Sequence, residues 1–284
     1  MPELVTPAML REWPLPSPGG SKYGRGQVMV IGGAASTPGA ALLAGLASLR
    51  VGAGRLSMGV AESAAVALAV AVPESGVVGL PQNERGSVLG EDLSAVADSV
   101  AKADVVVAGP GLDDAEQTER LLRTLVPLLG AETSVVLDAY ALGVWPRMDD
   151  VEIGAGRLIL TPNPEEASRL LERDLDDFAT DVLAIAKRYD AVVTCQGWIA
   201  EPDGTCWQIS TGHGGLGTSG SGDVLAGAIA GLCGRGASAA QAACWGTYVH
   251  AAAGDRLTAR VGKLGFLARE LLDEIPGVMA ELFN

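Results

Sequence analysis

The sequence predicts an α/β fold in which helices cover both faces of a mostly parallel sheet, a three-layer α/β/α sandwich. Short β-branched runs alternate along the chain with segments rich in Ala and Leu, an order typical of parallel strands joined by helical crossovers. Hydrophobic residues make up 48% of the 284 residues and aromatic residues only 4%, which favours a core of small side chains over an aromatic-rich β-sandwich. Since no linker or repeat interrupts the pattern, we expect one domain over residues 1–284, with residues 1–23 as an N-terminal extension.

The predicted elements follow one another in a regular order. QVMVIGG predicts the first strand, and a helix is predicted over 38–51 because Pro38 opens it and Gly52 follows it. Five further segments predict buried strands, namely RLSMGV, DVVVAG, TSVVLDA, RLILTP and AVVTC. Helices are predicted between them over 91–101, 116–129, 164–172 and 176–188. The turn signal Pro202-Asp203-Gly204 predicts a hairpin, and the chain is predicted to close with helices over 222–233, 237–253 and 264–272.

Charge and composition exclude several classes of partner. The chain has 34 Asp and Glu against 20 Lys and Arg, a formal net charge of −14, whereas binding to nucleic acids and anionic membranes relies on clustered Lys and Arg. The N-terminal residues lack the pattern of a secretory signal, and no apolar run reaches the 18 or so residues of a membrane span. Because the four cysteines form no CxxC pair, we expect no metal site and a reducing cytoplasm.

Polar residues and glycines follow several predicted strands at the point where each strand ends. They are Gly32-Gly33, Gly109-Pro110-Gly111, Asp138, Asn163 and Gln196-Gly197. Open α/β sheets bind ligands beyond the carboxyl ends of their strands. The group therefore predicts a ligand site at that edge of the sheet, although any single member could be an ordinary turn.

The segment TGHGGLGTSGSGD, residues 211–223, is the most informative motif. It runs straight into the apolar helix VLAGAIAGLC, and a glycine-rich loop before a helix can receive an anion on backbone N–H groups without a lysine. Asp223 is then placed as a general base, with an ordinary helix cap as the alternative. GLGTSG matches GxGxxG, but no acidic residue follows at the spacing that a dinucleotide-binding unit requires. His213 has no catalytic partner at a telling spacing and is interpreted as a loop residue.

Five motifs occur in order between about residue 24 and residue 236: TPGAALLAGLASLRVGAGRL, VVVAGPGL, VVLDAYAL, LTPNPEEASRL and GSGDVLAGAIAGL. Together they resemble the ribokinase-like superfamily and, within it, the ADP-dependent NAD(P)H-hydrate dehydratases. The resemblance implies a ribokinase-like three-layer sandwich. It also implies repair of NADHX and NADPHX, nicotinamide cofactors hydrated at ring carbon 6, by removal of the added water at the expense of a nucleotide.

The resemblance assigns roles to single residues. Four would bind the hydrated dinucleotide: Ala40 (beside Gly39), Gly111, Asn163 and Asp223. Five would bind the nucleotide: Gln196, Gly197, Gly220, Ser221 and Gly222. Asp223 would be the catalytic base that accepts the proton of the ring hydroxyl, which makes that oxygen a better nucleophile toward a phosphoryl group.

Three positions depart from the family pattern. The family commonly has His at the position of Asn163, Lys at that of Gln196 and Asp at that of Tyr140. Loss of the lysine removes a positive charge that could contact phosphate or nucleobase, so the departure bears on nucleotide preference.

The resemblance further implies ADP or ATP as cosubstrate, Mg²⁺ with its phosphates, and a homo-oligomer, a tetramer by family resemblance. We expect no fused epimerase domain of the kind that precedes this domain in many relatives. Two alternatives stay open. A small-molecule kinase of the same fold, acting for instance on a vitamin-precursor alcohol, would use Asp223 in the same way and stop after phosphorylation. A non-catalytic nucleotide-binding protein would agree with the departures at Asn163 and Gln196.

Overall fold

A computed structural model describes residues 2–17, 19–212 and 214–283. Ten strands form one sheet, and in chain order they are β1 (Glu3–Val5), β2 (Gln27–Ile31), β3 (Arg55–Ala61), β4 (Ser75–Leu80), β5 (Val105–Ala108), β6 (Ser134–Leu137), β7 (Leu158–Leu160), β8 (Val192–Cys195), β9 (Trp198–Ala200) and β10 (Cys206–Ile209). Their spatial order is β1-β10-β9-β8-β7-β6-β5-β2-β3-β4. All neighbours from β4 to β8 pair in parallel, and only β9 runs antiparallel to both of its neighbours.

Eleven α-helices lie in the described part of the chain. They are α1 (Pro7–Glu12), α2 (Pro38–Arg50), α3 (Glu62–Ala71), α4 (Ala97–Ala101), α5 (Ala115–Leu125), α6 (Tyr140–Val144), α7 (Pro164–Leu171), α8 (Phe178–Tyr189), α9 (Ser221–Gly234), α10 (Ala239–Arg260) and α11 (Ala268–Phe283). One core layer packs α2, α9, α10 and α11 on one face of the sheet. The other packs α5, α6, α7 and α8 on the opposite face. The predicted three-layer α/β/α sandwich is confirmed.

The sheet interior explains why the central strands read as unbroken apolar runs. Every residue of β5 is fully buried, as expected for a parallel strand with helices on both faces. Small residues let the helices approach closely as well. A Cβ on Gly227 of α9 would lie 2.0 Å from the carbonyl oxygen of Ala44 in α2, so only glycine permits this helix contact.

Most predicted elements are confirmed, but several regions differ from the prediction. The predicted helix over 91–101 is a 3-10 turn, Ser94–Val96, followed by the short helix α4. The last helix was placed too early: Gly265, with φ of 101°, lies before α11, and the helix continues through Pro276. The sequence does not predict α3, β4 or α6, and for α3 the reason is that ESAAVALAVA has no polar face to reveal a helix period.

The segment taken as an N-terminal extension contributes to the sheet. Strand β1 pairs in parallel with β10, with Leu4 opposite Gln208. Helix α1 follows it, and the Trp13 ring stacks on the Trp207 ring of β10 with centroids 5.9 Å apart. The predicted hairpin is confirmed, since β9 and β10 pair antiparallel. Within the described residues no helix is both long enough and apolar enough to cross a membrane.

Candidate active site

A cavity of about 680 Å³ opens at the carboxyl ends of β6, β7 and β8. The residues after these strands form one wall, and the first turn of α9 forms another. Helix α10 contributes Thr247, His250 and Ala251. This is the edge of the sheet at which the sequence predicts a ligand site.

Some of the predicted strand-end residues meet in this cavity and others do not. Asp138, Asn163, Gln196 and Gly197 line it. The ends of β2 and β5 instead bind each other, since the Gly33 N–H donates to the Pro110 carbonyl oxygen at 2.8 Å. These two strand ends lie outside the cavity wall.

Ala40 and Gly111 form a separate contact beside the cavity. Gly111 has φ of 71°, and a Cβ added to it would lie 3.0 Å from the Ala40 Cβ and 2.3 Å from the Thr37 carbonyl oxygen. Leu43 lies one turn further along α2. A Cβ added to Gly220 would lie 2.6 Å from the Leu43 Cδ1. Ala40 therefore lies on the helix that packs against the start of α9, whereas Gly111 lies in the loop after β5 and its carbonyl oxygen accepts a hydrogen bond from the Thr37 hydroxyl at 2.7 Å.

The start of α9 presents backbone N–H groups to the cavity. Gly220 is the N-cap, with a left-handed φ of 89°, and no side chain caps the helix. Among the described residues the N–H groups of Gly222 and Asp223 have no acceptor, and a Cβ on Gly222 would meet nothing within 4 Å. Free N–H groups at a helix N-terminus favour an anion. Asp223 is the third residue of the helix, so the alternative that it serves as the cap is wrong.

Three carboxyl groups face this cavity, and their pKa values are raised. Burial together with the charge of Asp223 raises the pKa of Asp138 to about 7, although Thr161 Oγ1 donates to its carboxylate at 2.8 Å. Burial raises the pKa of Glu166 to about 7 as well. Burial and the charge of Glu166 raise the pKa of Asp223 to about 6. A carboxyl group that titrates near neutral pH can exchange a proton with a substrate.

No lysine or arginine lies among the described residues of the cavity wall. Gln196 is exposed there, with φ of 50°, and is followed by Gly197 with φ of 78°. The two left-handed residues turn the chain sharply from β8 into β9. An anion in this cavity is therefore held by backbone N–H groups and neutral side chains.

Helix α10 supports the cavity from behind through three polar side chains. Thr247 hydrogen-bonds Thr194 of β8 at 3.0 Å between the hydroxyl oxygens. His250 Nε2 lies 2.9 Å from Ser221 Oγ. Asp255 accepts hydrogen bonds from the Thr211 hydroxyl and, at 3.0 Å, from the Gly212 N–H.

Comparison with known proteins identifies the family. The family model described as NAD(P)H-hydrate dehydratase matches residues 28–277. An ADP-dependent (S)-NAD(P)H-hydrate dehydratase of Xanthomonas campestris is 43% identical over 289 aligned positions, covering 98% of this chain and 96% of the relative. The chain belongs to the NAD(P)H-hydrate dehydratase family.

Solved structures agree with this dehydratase family and its fold. A Bacillus subtilis ADP/ATP-dependent NAD(P)H-hydrate dehydratase, co-crystallised with ATP and Mg²⁺, is 28% identical with a TM-score of 0.81, covering 99% of this chain and 98% of its own. A ribokinase-like superfamily protein of Enterococcus faecalis, 21% identical, has a TM-score of 0.83 over 99% of this chain and 96% of its own. The ribokinase-like fold is confirmed.

Two residues of the dehydratase-family site were missed from the sequence. Glu166 stands three residues after Asn163, a spacing that signals a capping box and could have drawn attention to it. His250 lies within a predicted helix and becomes part of the cavity only through tertiary packing, so no local signal marks it.

Other positions singled out in the dehydratase sequence lie apart from the cavity wall. Tyr140 is the first residue of α6 and is 43% exposed. His213 lies outside the described residues. Within the described ranges no group of three His, Cys, Asp or Glu side chains is arranged to hold a metal ion.

Proposed function

We propose that this chain removes water from NADHX and NADPHX, hydrated at ring carbon 6, to regenerate NADH and NADPH at the expense of ADP or ATP. The family match carries the proposal, because it spans residues 28–277 and includes every residue assigned to the site. The cavity supports it, since an anion-receiving helix N-terminus and a carboxyl group with raised pKa face the same space.

The two ligands occupy opposite sides of Asp223. Nucleotide phosphates lie against Gly220, Ser221 and Gly222, with Gln196 and Gly197 on the neighbouring wall. The hydrated dinucleotide lies toward Ala40 and Gly111, with Asn163 at its edge. This division is supported by the packing of Leu43, on the helix that carries Ala40, against Gly220 at the start of the turn that carries Asp223.

The reaction begins with phosphoryl transfer to the hydroxyl on ring carbon 6. Asp223 accepts the hydroxyl proton while the oxygen bonds to the terminal phosphorus, and the bond from that phosphorus to the departing nucleotide breaks, releasing AMP from ADP. The N–H groups at the start of α9 stabilise the charge on the transferring group. Phosphate then leaves with the electrons of the C6–O bond as the ring nitrogen donates its lone pair. Loss of a proton from ring carbon 5 restores the double bond.

Mg²⁺ accompanies the nucleotide in this proposal. Magnesium is usually held by one or two carboxylates together with phosphate oxygens and water, and the carboxylates of Asp138 and Glu166 face the cavity. Burial is the main cause of their raised pKa values, and a divalent cation beside them would favour the charged forms of both carboxyl groups. The ion would neutralise charge on the phosphates, and Asp138 and Glu166 would hold it.

We also propose that the chain is a single ribokinase-like domain that forms a homo-oligomer, a tetramer, in the cytoplasm. The exposed face of α3 supports self-association. Val66 and Val70 are 77% and 78% exposed, one turn apart beside the edge strand β4. Apolar side chains so exposed on one helix face are typical of an interface between subunits.

Incubation of the purified protein with NADHX and each nucleotide in turn tests the function. We expect the reduced-nicotinamide absorbance to return with ADP or ATP and not without nucleotide. A kinase of the same fold would instead accumulate a stable phosphorylated alcohol with no gain in absorbance. Folded protein that restores no absorbance with any adenine nucleotide would exclude the dehydratase.

A further inference from the structure

His250 is a buried imidazole for which the reaction above has no use. It is 7% exposed and lies in the wall of the cavity, on the middle of α10. Burial lowers its pKa to about 4, so the ring is neutral at physiological pH. A neutral buried imidazole needs a hydrogen-bonding partner, because an unpaired polar group in the interior is costly.

The partner of His250 is the first residue of α9. Nε2 lies 2.9 Å from Ser221 Oγ, and Ser221 is only 4% exposed. Ser221 follows the N-cap Gly220 and precedes the two residues whose N–H groups have no acceptor among the described residues. The hydrogen bond therefore joins α10 directly to the turn that carries Asp223.

Besides the backbone hydrogen bond from the Ser221 N–H to the Thr218 carbonyl oxygen at 3.1 Å and the packing of Leu43 on Gly220, this turn has few restraints. Gly220 and Gly222 flank Ser221, and glycine has the largest backbone freedom of any residue. No side chain caps α9. Among the described residues, the contact between Ser221 and His250 is the one side-chain hydrogen bond made by residues 220–223. A catalytic group on a loosely held turn loses rate, because an error of about 1 Å in the geometry can cost about 10²-fold.

We propose that His250 is a positioning residue that acts through the Ser221 hydroxyl to fix the first turn of α9 against the nucleotide phosphates and the ring hydroxyl. The inference rests on the proposed function for its catalytic consequence, but the placement of the helix N–H groups also predicts an effect on nucleotide affinity. His250 touches neither substrate in this account. Its role differs from that of Thr247, whose hydroxyl hydrogen-bonds Thr194 of β8.

A double-mutant cycle between His250 and Ser221 tests the inference. We expect His250→Leu and Ser221→Ala each to weaken ADP binding and lower kcat about tenfold, the effect of one lost hydrogen bond in a site that depends on geometry. The double variant should be no worse than the poorer single variant, because both changes remove the same contact. His250→Gln, which can still reach the hydroxyl, should recover most of both losses.

The combination of Thr247→Val with Ser221→Ala provides the control. Thr247→Val removes a hydrogen bond from the same helix but not from α9, so its effect should add to that of Ser221→Ala. Thermal unfolding of every variant separates positioning from packing. If His250→Leu lowers only the melting temperature, or if its effects on ADP affinity add to those of Ser221→Ala, His250 does not act through Ser221 and the inference is wrong.

The test of His250 can be separated from the test of the proposed function. Calorimetry measures the ADP affinity of each variant in the double-mutant cycle, and this measurement does not require turnover. Wild-type protein that binds ADP but never regenerates NADH would exclude the dehydratase while the cycle on ADP affinity still decides the role of His250. Wild-type protein that binds no adenine nucleotide would overturn both.

Discussion

Asn163 and Glu166 bind each other's backbone at the start of α7. The Asn163 N–H donates to Glu166 Oε2 at 2.9 Å, and the Glu166 N–H donates to Asn163 Oδ1 at 3.0 Å. Asn163 thus caps the helix while it holds at the cavity a carboxyl group with raised pKa. Asn163, the position at which the resemblance leads us to expect histidine, therefore stabilises α7 in addition to making the proposed contact with substrate.

Because Asn163 caps α7, its substitutions should differ in stability according to whether they keep a capping oxygen. Asn163→Ala should lower the free energy of unfolding by about 1 kcal/mol, because an N-cap side chain is lost. Asn163→Ser keeps a capping oxygen and should be nearly as stable as wild type. Chemical denaturation of the two variants makes the comparison. Equal stability of all three proteins would show that the capping box does not stabilise α7.

Asp138 predicts a dependence of stability on pH. Its pKa is raised to about 7 in the folded protein by burial and by Asp223, so the folded state binds the proton more tightly than the unfolded chain. The contribution of this group to the free energy of unfolding is fully present below about pH 4 and is lost as pH rises through about 7. Wild-type protein should therefore lose more stability between about pH 5 and pH 8 than Asp138→Asn, which has no carboxyl group to ionise.

Thermal unfolding of both proteins across that range checks this prediction. Parallel curves for wild type and Asp138→Asn would show that Asp138 titrates in the folded protein as it does in the unfolded chain.

Replacement of Gln196 by lysine should increase the affinity for nucleotide. It is exposed in a cavity wall whose described residues include no lysine or arginine. Gln196→Lys should tighten ADP binding by about 1 kcal/mol through a charge-assisted contact with phosphate. Gln196→Met, of similar length and without charge, is the control. Unchanged affinity of the lysine variant in calorimetry would mean that this position does not face phosphate.

Substitution of Asp223 should lower the catalytic rate without lowering the stability of the fold. Asp223→Asn removes proton acceptance and should lower kcat toward the upper end of the 10²- to 10⁴-fold range typical of a lost general base. Because Gly220 and not Asp223 is the cap, Asp223→Ala should also retain its stability, whereas a capping residue would lose about 1 kcal/mol. Nucleotide affinity should hold or rise, since a negative charge near phosphate is removed.

The pH profile supplies a second check on Asp223. Its pKa is raised to about 6, and only the deprotonated carboxylate accepts a proton, so kcat/KM should fall as pH drops below about 6. Activity of Asp223→Asn within a few-fold of wild type would leave the proposed base without a role.

The sequence predicted the sheet and its ligand-binding edge because buried parallel strands and glycine-rich strand ends are local patterns. Asp138, Asn163 and Gln196 were placed at that edge from their positions after strands, and the structure brings them into one cavity. The strand ends at Gly33 and Pro110 hydrogen-bond each other instead. This contact depends on the order of the strands in the sheet, which no local sequence pattern encodes.

His250 and the cap of α9 show what local patterns could not predict. His250 reaches Ser221 from 29 residues away only because α10 packs behind α9. Asp223 matches the residue preference of a helix cap, but the left-handed Gly220 begins the helix three residues earlier. Both features depend on how the chain packs and turns around the cavity.

The stoichiometry of a single reaction mixture tests the central claim most directly. Protein, NADHX and ADP are combined, and NADH, AMP and inorganic phosphate are measured as the reaction proceeds. Transfer to the ring hydroxyl followed by elimination predicts one AMP and one phosphate for every NADH regained. NADH regained without AMP, or AMP and phosphate released without NADH, would contradict the account.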